Sequence, residues 1–328
     1  MNFTRIFLLI IFTVSGIAVK AQKTLTDSLF HPDSLKYWVN LLADDSLKGR
    51  FSGTKESFTA ANAISQGFIK AGIKPLAGNE GYFMSLGKYG NNVVGGLQGK
   101  SMAGQVIIFS AHYDHIGTLA SNPHPNMGGK AFVEDGDEIY NGANDNASGV
   151  SALIALAKYF ARMNMHERTL LFIAFAAEEQ GLLGSQYMAS QFEPDSIVAV
   201  INIEMIGRKN AGSGNPFITG QDYSDLQKIL NKNLQQYNSK KYGKVFFGGD
   251  RFFDHALFMR SDNYPFAFRK VPAHTISTTS PLDEFYHNLN DEPGTLDYKL
   301  MSRIVEAIAI STTGLVKGDN TPSRLKGL

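Results

Sequence analysis

Apolar residues along this chain follow two patterns, a helical spacing and short continuous runs. The helical spacing covers 32–76, where a turn at 48–54 separates a helix that begins at Pro32 from one that ends at Gly72. Further helices are predicted at 148–162, 222–237 and 298–316, and a shorter one begins at Gly184. The continuous runs are predicted to be strands: 92–97, 106–111, 170–177, 197–203 and 264–268.

This alternation of strands and helices is typical of a sheet whose strands run largely parallel and are covered by helices on both faces. The predicted strands are apolar at nearly every position, as expected for strands that are buried on both sides. We therefore predict an α/β fold with three layers, α/β/α, around a central mixed and mostly parallel sheet.

The first 21 residues have the pattern of a secretory signal peptide, with Arg5, an apolar run from Ile6 to Val19 and, in Val19-Lys20-Ala21, small residues at the expected cleavage positions. A membrane anchor is the alternative, but polar residues interrupt the run, which is short for a span of roughly 20 residues. We expect removal of 1–21 and export to the periplasm or the extracellular space. The rest reads as one domain, 22–319, with a loose tail, 320–328.

Charge and cysteine content narrow the chemistry that is expected. Lys and Arg number 31 and Asp and Glu number 30, so a net charge of +1 does not favour nucleic acid or an acidic membrane as a partner. There is no cysteine. An exported protein of this kind forms no disulfide, and any metal site must consist of histidines and carboxylates.

Two adjacent glutamates, Glu178 and Glu179, follow the predicted strand 170–177. Such a pair is usually a solvated surface, but like charges at the end of a buried strand are unfavourable unless a cation shares them. Two further predicted strands are followed by residues that bind metals: His112 and Asp114 after one strand, and Glu204 after the other. Ligands gather where parallel strands end, so these residues together indicate a cluster.

The loop 141–149 leads into a predicted helix and contains Asp145. An aspartate at this place is typical of an N-cap, whose side chain accepts hydrogen bonds from the first turn of the helix. It is equally a residue type that binds metals, and the loop alone leaves both alternatives open.

These segments resemble the co-catalytic zinc aminopeptidases of metallopeptidase family 28, which share a fold with zinc carboxypeptidases and glutaminyl cyclases. The resemblance covers nearly the whole chain after the signal peptide. It is carried by six segments: 42–50 (LADDSLKGR), 110–114 (SAHYD), 141–149 (NGANDNASG), 176–185 (AAEEQGLLGS), 201–208 (INIEMIGR) and 286–287 (YH).

The resemblance implies two zinc ions per chain. His112 and Glu204 would bind one ion, and Glu179 and His287 would bind the other. Asp145 would bridge the two. The three carboxylates among these ligands carry three negative charges, so two divalent ions and a bridging hydroxide would leave the set neutral.

The resemblance also implies roles for residues that do not bind metal. Glu178 would be the general base and acid, and Asp114 would orient His112. The peptide bond between Asp145 and Asn146 would be cis.

The chain departs from the family pattern at three places. Glu204 stands where the family usually has aspartate, and it remains an oxygen ligand suited to zinc. A usual Ser-Asp-His is matched to Phe253-Asp254-His255, which makes His255 a further candidate for the site. The polar segment 269–274 is either a wall of the substrate pocket or a surface loop.

The function that the resemblance implies is that of a secreted zinc-dependent aminopeptidase, which hydrolyses N-terminal peptide bonds of peptides or proteins. A glutaminyl cyclase-like acyltransferase is one alternative, although that chemistry uses one zinc and lacks the full set of five ligands. A carboxypeptidase or dipeptidase is another, and would need a cation such as Arg208 or Arg269 for the substrate carboxylate. A non-catalytic binding module would have no use for Glu178.

Overall fold

The computed structural model describes five ranges, 29–76, 78–121, 136–209, 215–279 and 283–328, without the side chain of Phe253. The predicted signal peptide, 1–21, lies outside the described residues, and so does 122–135, which lies between the strand predicted at 106–111 and the loop 141–149. Within the described ranges no helix is both long enough and apolar enough to cross a bilayer.

The helices and strands alternate along the chain largely as predicted. The helices are α1 (Pro32–Leu42), α2 (Lys55–Ala71), α3 (Gly149–Met163), α4 (Leu183–Ser190), α5 (Leu226–Tyr242), α6 (Tyr264–Phe268) and α7 (Tyr298–Lys317). The strands are β1 (Lys74–Pro75), β2 (Phe83–Ser85), β3 (Asn91–Leu97), β4 (Met102–His112), β5 (Arg168–Phe175), β6 (Ile197–Ile203), β7 (Phe217–Ile218), β8 (Gly248–Gly249) and β9 (Ala273–Ser277).

The strands form one mixed sheet in the order β1-β3-β5-β4-β6-β9-β7-β8, and β2 pairs with β3. The central strands β5, β4, β6 and β9 are parallel, whereas β3 and β7 join them in antiparallel fashion. Parallel central strands end at the same edge of the sheet, which is the edge where the candidate ligands were expected.

Helices cover both faces of the sheet. Alternate side chains of β4 point to opposite faces: Ile107 and Phe109 pack in a large core with residues of α1, α2, α3 and α7, whereas Ile108 packs in a smaller core with residues of α4 and α6. The predicted α/β fold with three layers is therefore confirmed.

Local signals explain the ends of the first two helices. The side chain of His31 accepts a hydrogen bond from the N–H of Asp33, and Pro32 occupies the first turn of α1, where a missing N–H costs nothing. Thr54 caps α2 through its side-chain oxygen, and Gly72 ends that helix with φ +83°, a left-handed conformation that favours glycine.

The strand predicted at 264–268 is wrong, because this segment is helix α6. The carbonyl of Asn263 accepts a hydrogen bond from the N–H of Ala267 at 2.9 Å, which is the spacing of a helical turn. Phe266 and Ala267 are buried against the sheet. A run of five apolar residues has the same pattern in a buried helix and in a buried strand, so periodicity could not separate them.

The segment 269–274 is not a surface loop. Val271 and His274 are buried, and the segment leads into β9, which lies inside the sheet between β6 and β7. His274 satisfies its ring nitrogens internally, with Nδ1 2.8 Å from the carbonyl oxygen of Thr219 and Nε2 2.7 Å from the hydroxyl of Ser224. A surface loop was one of the two predictions for this segment because it is polar, but its polar residue His274 forms hydrogen bonds inside the protein.

The residues after α7 are held against the domain rather than forming a loose tail. Leu325 is buried, and Arg324 donates to the carbonyl of Ile197 at the start of β6. The N–H of Ser323 donates to the carboxylate of Asp225 at 2.7 Å. These contacts need partners that are about 100 residues away in sequence, and no local pattern marks them.

Candidate metal centre

The carboxyl ends of β4, β5 and β6 bring the predicted residues to one edge of the sheet. His112 is the last residue of β4, Glu178 and Glu179 follow β5 after two alanines, and Glu204 follows β6 directly. His112 is buried, and the three glutamates are partly buried. This placement agrees with the prediction made from the parallel strands.

Asp145 lies between two imidazoles. Its Oδ1 is 3.3 Å from Nε2 of His112, and its Oδ2 is 3.3 Å from Nε2 of His287. The residue lies in a π-helical turn, 143–148, and its peptide bond to Asn146 is cis, as the resemblance implies. Ser148, not Asp145, is the N-cap of α3, so the capping alternative for Asp145 is wrong.

The second group of candidate ligands contains a histidine that the sequence analysis missed. Oε2 of Glu179 is 3.2 Å from Nε2 of His287, as expected, but Oε1 is 3.0 Å from Nδ1 of His115. His115 is fully buried, and its Nδ1 is also 3.8 Å from Oδ2 of Asp145. The sequence did contain a signal for His115, because this residue directly follows Asp114 and is close to the predicted strand end that supplies His112.

The side chains fit a pair of metal ions. The candidate ligand atoms of His112, Asp145 and Glu204 lie within 4.8 Å of one another. A second group with the same property consists of His115, Asp145, Glu179 and His287. Ligands placed about 2.0–2.2 Å from a tetrahedral zinc are about 3.3–3.6 Å apart. The separations of 3.0–3.8 Å around Asp145 and Glu179 bracket that range.

Unpaired nitrogens also support the fit. Nε2 of His112 and Nε2 of His287 are buried and make no hydrogen bond of acceptable geometry within the described residues. Buried polar atoms normally have a partner, so both nitrogens are suited to a cation between them and the nearby carboxylates.

Backbone and side-chain contacts hold His112 and the glutamate pair in place. Nδ1 of His112 is 3.2 Å from the backbone oxygen of Asp114 and 3.9 Å from its carboxylate, so the carbonyl makes the closer orienting contact. The carboxylate of Asp114 instead accepts from the N–H groups of Glu178 and Glu179, at 3.1 and 3.3 Å. Asp114 therefore connects the ends of β4 and β5.

A buried carboxylate positions the backbone of Asp145. Asp291 accepts from the N–H groups of Asn144 and Asp145, each at 3.0 Å for the nearer oxygen. Arg208 donates to Asp291 at 2.8 Å and to Asp283 at 2.7 Å. Arg208, which the sequence analysis considered for a substrate carboxylate, is therefore bound within the protein.

Arg50 connects the upstream segment of the chain to the site. It is 1% exposed and donates four hydrogen bonds to backbone carbonyls, which belong to Leu42, Tyr113, Asn141 and Gly142. Burial lowers the pKa of Arg50 to about 10, which leaves it charged at neutral pH. Its contacts tie the end of β4 to the loop that carries Asp145.

Glu204 is held by a residue that the sequence analysis did not match to the family. The hydroxyl of Ser261 donates to Oε2 of Glu204, and the next residue, Asp262, is fully buried. Ser261-Asp262-Asn263 therefore occupies the place beside the ligands that was assigned to Phe253-Asp254-His255. His255 packs against Phe252 and belongs to neither group of candidate ligands in the described structure.

Glu178 lies beside the ligands and faces a cavity. Its carboxylate is within 4.8 Å of candidate ligand atoms of His112 and Glu179. The cavity has a volume of about 240 Å³, and its lining includes Asp145, Glu204 and Tyr286. A substrate in this cavity would contact Glu178 directly.

The electrostatics divide the carboxylates into two classes. Burial opposes ionisation of all these carboxylates. At Glu179 the neighbouring His287 and His115 outweigh burial, and the pKa falls to about 2. At Asp145, His112 and His287 outweigh burial and hold the pKa well below its usual range. Burial dominates at Glu204, whose pKa rises to about 7, and at Glu178, whose pKa is raised well above its usual range. A bound cation would favour the charged form of every one of these groups.

Imidazoles and carboxylates that converge where parallel strands end define an α/β protein built to bind metal ions. Comparison with known sequences identifies the family. The chain belongs to Peptidase family M28, whose sequence profile matches residues 92–312.

Individual relatives agree with this assignment. The chain is similar to a probable zinc metalloprotease of Phaeosphaeria nodorum, with 33% identity over 163 residues, which cover 48% of this chain and 31% of the relative. The match thus spans about a third of the length of that curated relative.

Solved structures share the fold at low sequence identity. The LapA aminopeptidase of Legionella pneumophila is 18% identical, with a TM-score of 0.69 over 91% of this chain and 75% of that one. The glutaminyl cyclase of Porphyromonas gingivalis is 18% identical, with a TM-score of 0.64 over 88% of this chain and 99% of that one. At these identities the likeness shows the fold alone.

Proposed function

We propose that this protein is an exported zinc-dependent aminopeptidase that holds two metal ions per chain and uses Glu178 as its general base. One observation carries the proposal: the two oxygens of Asp145 face different imidazoles, those of His112 and His287, each at 3.3 Å. A bridging carboxylate between two sets of ligands is the arrangement that a pair of metal ions requires.

His112 and Glu204 would hold one ion, Glu179 and His287 the other, and Asp145 would contribute an oxygen to each. The names of the relatives support zinc, and the set of nitrogen and oxygen ligands suits it. Bound zinc would lower the pKa of water and polarise the scissile carbonyl. Glu204 is one methylene longer than the aspartate expected from the family, and the hydroxyl of Ser261 fixes its Oε2.

Glu178 would move a proton rather than bind metal. Within the described residues no donor side chain reaches its carboxylate, whereas the neighbouring Glu179 contacts two imidazoles. Glu178 would take a proton from the attacking water and deliver it to the leaving amine. Its backbone N–H is fixed by Asp114, so the side chain starts from a defined position.

The lining of the cavity supports a substrate with a free N-terminus. Four carboxylates line it, those of Asp145, Glu178, Glu179 and Glu204. Three of them would bind metal, and Glu178 would remain as an acceptor for the hydrogens of a free α-amine, which supports action at the N-terminus of peptides or proteins. Arg269 donates to the carbonyls of Ala189 and Phe192, and Arg208 is also engaged, so neither candidate cation of the carboxypeptidase alternative faces the site.

The export part of the proposal rests on the sequence of 1–21. No nucleic-acid partner and no stable membrane anchor are expected after removal of the signal peptide. Expression of the full chain followed by N-terminal sequencing of the exported fraction tests this part. A mature N-terminus near Gln22 is expected, and an unprocessed chain in the membrane fraction would contradict it.

The catalytic part is tested with the variant Glu178→Gln, which keeps the shape of the side chain and removes its basic oxygen. We expect two zinc ions per chain in both proteins, and a loss of turnover on leucyl-4-nitroanilide of about 100-fold or more. Glu193→Gln, an exposed site remote from the cluster, is the matched control.

Three results would contradict the proposal. Turnover that survives in Glu178→Gln would mean that the base is misassigned. One zinc per chain together with cyclisation of an N-terminal glutamine would favour the glutaminyl cyclase alternative. Failure of the metal-loaded protein to hydrolyse any aminoacyl amide would favour a binding module.

A further inference from the structure

Arg260 lies between the cavity that contains Glu178 and a second, smaller cavity. It lines both, and so do Glu204 and Tyr286. The smaller cavity has a volume of about 60 Å³ and extends toward Thr219 and Thr275. A substrate whose terminal residue sits beside the metal ligands would therefore pass close to the guanidinium group.

The main chain holds Arg260 in this place. The residue follows a 3-10 turn, Leu257–Met259, and precedes Ser261, whose hydroxyl donates to Glu204. Its Nη2 is 3.3 Å from the hydroxyl of Tyr286, and its guanidinium carbon is 5.9 Å from the centre of that ring. Tyr286 in turn stacks on the candidate ligand His287, with ring centres 3.9 Å apart.

Unlike Arg208, Arg260 has no anionic partner. No carboxylate lies within 4.0 Å of it in the described part of the chain, and its side chain is exposed. Arg208 forms two ion pairs, and Arg50 donates to four carbonyls. Arg260 is also the single cationic residue among the described residues that line either cavity.

Among the described residues, the smaller cavity has no cationic side chain besides Arg260. The hydroxyl groups of Thr275 and Thr279 donate to Asn263 and to the carbonyl of Met205, so their protons are already used, and the hydroxyl of Thr219 is a neutral group that accepts from the N–H of Thr275. They offer acceptors to a ligand, whereas a carboxylate needs donors. The planar fork of Arg260 supplies parallel donors that match the two oxygens of a carboxylate.

We propose that Arg260 binds a carboxylate of the substrate and makes the enzyme select acidic substrates. The inference rests on the proposed function, because it assumes that the substrate enters the cavity beside Glu178. The carboxylate has two possible sources: the side chain of an N-terminal aspartate or glutamate, or the free C-terminus of a short peptide. Both present the same chemistry to the guanidinium group.

Two pairs of substrates separate the sources. Aspartyl- and asparaginyl-4-nitroanilide differ only in the charge of the side chain, and Leu-Gly and Leu-Gly-amide differ only in the charge of the C-terminus. For each pair the ratio of kcat/KM, acid over amide, is measured with wild type and with Arg260→Gln at equal zinc content. We expect Arg260→Gln to lower one ratio about tenfold, as loss of a charge-assisted contact would.

Two further variants test whether the guanidinium group of Arg260, rather than its charge alone or any arginine on the surface, accounts for the change in the ratio. Arg260→Lys keeps the charge but not the fork, and we expect it to recover only part of the ratio. Arg251→Gln removes an exposed arginine that lines neither cavity, and its ratios should equal those of wild type. If Arg260→Gln leaves both ratios at their wild-type values, the inference is wrong.

A binding measurement separates this inference from the proposed function. Aspartate and asparagine, or Leu-Gly and Leu-Gly-amide, are titrated into the metal-loaded protein by calorimetry. Tighter binding of one acid, lost in Arg260→Gln, would support the carboxylate site even if no substrate is hydrolysed. Equal binding of acid and amide in both pairs, in a protein that does hydrolyse leucyl-4-nitroanilide, would overturn the inference and leave the function intact.

Discussion

Nδ1 of His115 lies 3.0 Å from Oε1 of Glu179, one of the residues that would hold the second metal ion. The other ring nitrogen, Nε2, is buried without a hydrogen-bond partner in the described structure. An unpaired buried N–H costs more than an unpaired lone pair, so the proton belongs on Nδ1. His115 then donates to Glu179 and leaves Oε2 of that residue free for the metal.

Replacement of His115 by glutamine should weaken one of the two metal sites. Loss of a hydrogen bond that orients a ligand typically reduces metal affinity by about 10–100-fold. We expect the ion held by Glu179 and His287 to be lost first to a chelator, while the other ion remains. Competition titration with a zinc-binding dye measures both affinities, and His255→Gln is the matched control.

Equal zinc affinities in His115→Gln and wild type would show that Glu179 needs no support from His115. Loss of an ion in His255→Gln would return His255 to the site, contrary to its position against Phe252.

Replacement of Arg50 by methionine should destabilise the whole domain. The change removes the donor to the carbonyl oxygens of Leu42, Tyr113 and Asn141, whereas the carbonyl of Gly142 keeps the N–H of Ala147. Each buried unsatisfied group costs about 1–3 kcal/mol. We expect the free energy of unfolding to fall by about 3 kcal/mol or more, measured by urea denaturation. Arg251→Met, at an exposed position, should change it by less than about 0.5 kcal/mol.

The variant Arg50→Lys tests whether the charge of Arg50 or its hydrogen bonds account for the loss of stability. Lysine keeps a positive charge but cannot reach several carbonyls with a fixed fork, so it should recover little of the lost stability. Full recovery would show that charge, rather than the pattern of hydrogen bonds, accounts for the effect of Arg50.

Burial of His274 should make stability depend on pH. Burial lowers the pKa of His274 from 6.5 to about 4, although the carbonyl of Thr219 partly opposes the shift. The unfolded chain therefore takes up a proton that the folded chain does not. The stability that His274 contributes is complete above about pH 6.5 and is lost as the pH falls through about 4.

The shift corresponds to about 3 kcal/mol. Urea denaturation at several pH values between 7.5 and 4 measures it, and His274→Asn or His274→Gln should remove this part of the dependence while other groups keep theirs. Parallel pH curves for the variants and wild type would contradict the assignment to His274.

Much of this protein was predictable from local patterns. The bounds of β6 agree with the continuous apolar run to the residue, and the C-terminal Gly72 of α2 follows from its spacing and its conformational freedom. The positions of His112, Glu179 and Glu204 after predicted strands were sufficient to predict that these residues converge, because parallel strands end at one edge of the sheet. Asp145 and His287 were implied only by the family resemblance.

Other features were misread for a physical reason. Tyr264 to Phe268 has an apolar pattern that suits a helix or a strand equally, and only packing against the sheet selects the helix. The segment that leads into β9 is polar in sequence and was therefore considered a surface loop. The partners that allow His274 to be buried, Thr219 and Ser224, are 55 and 50 residues away in sequence, so no local pattern shows them.

The sequence by itself determined the layered fold, the family resemblance and five candidate ligands, namely His112, Asp145, Glu179, Glu204 and His287, since each depends on residue type and short-range order. Only the tertiary structure decided which groups are paired and which are free. It placed His115 on Glu179, Ser261 on Glu204, and left Arg260 without an anionic partner. Pairing depends on distances between segments far apart in the chain, and no local pattern encodes those distances.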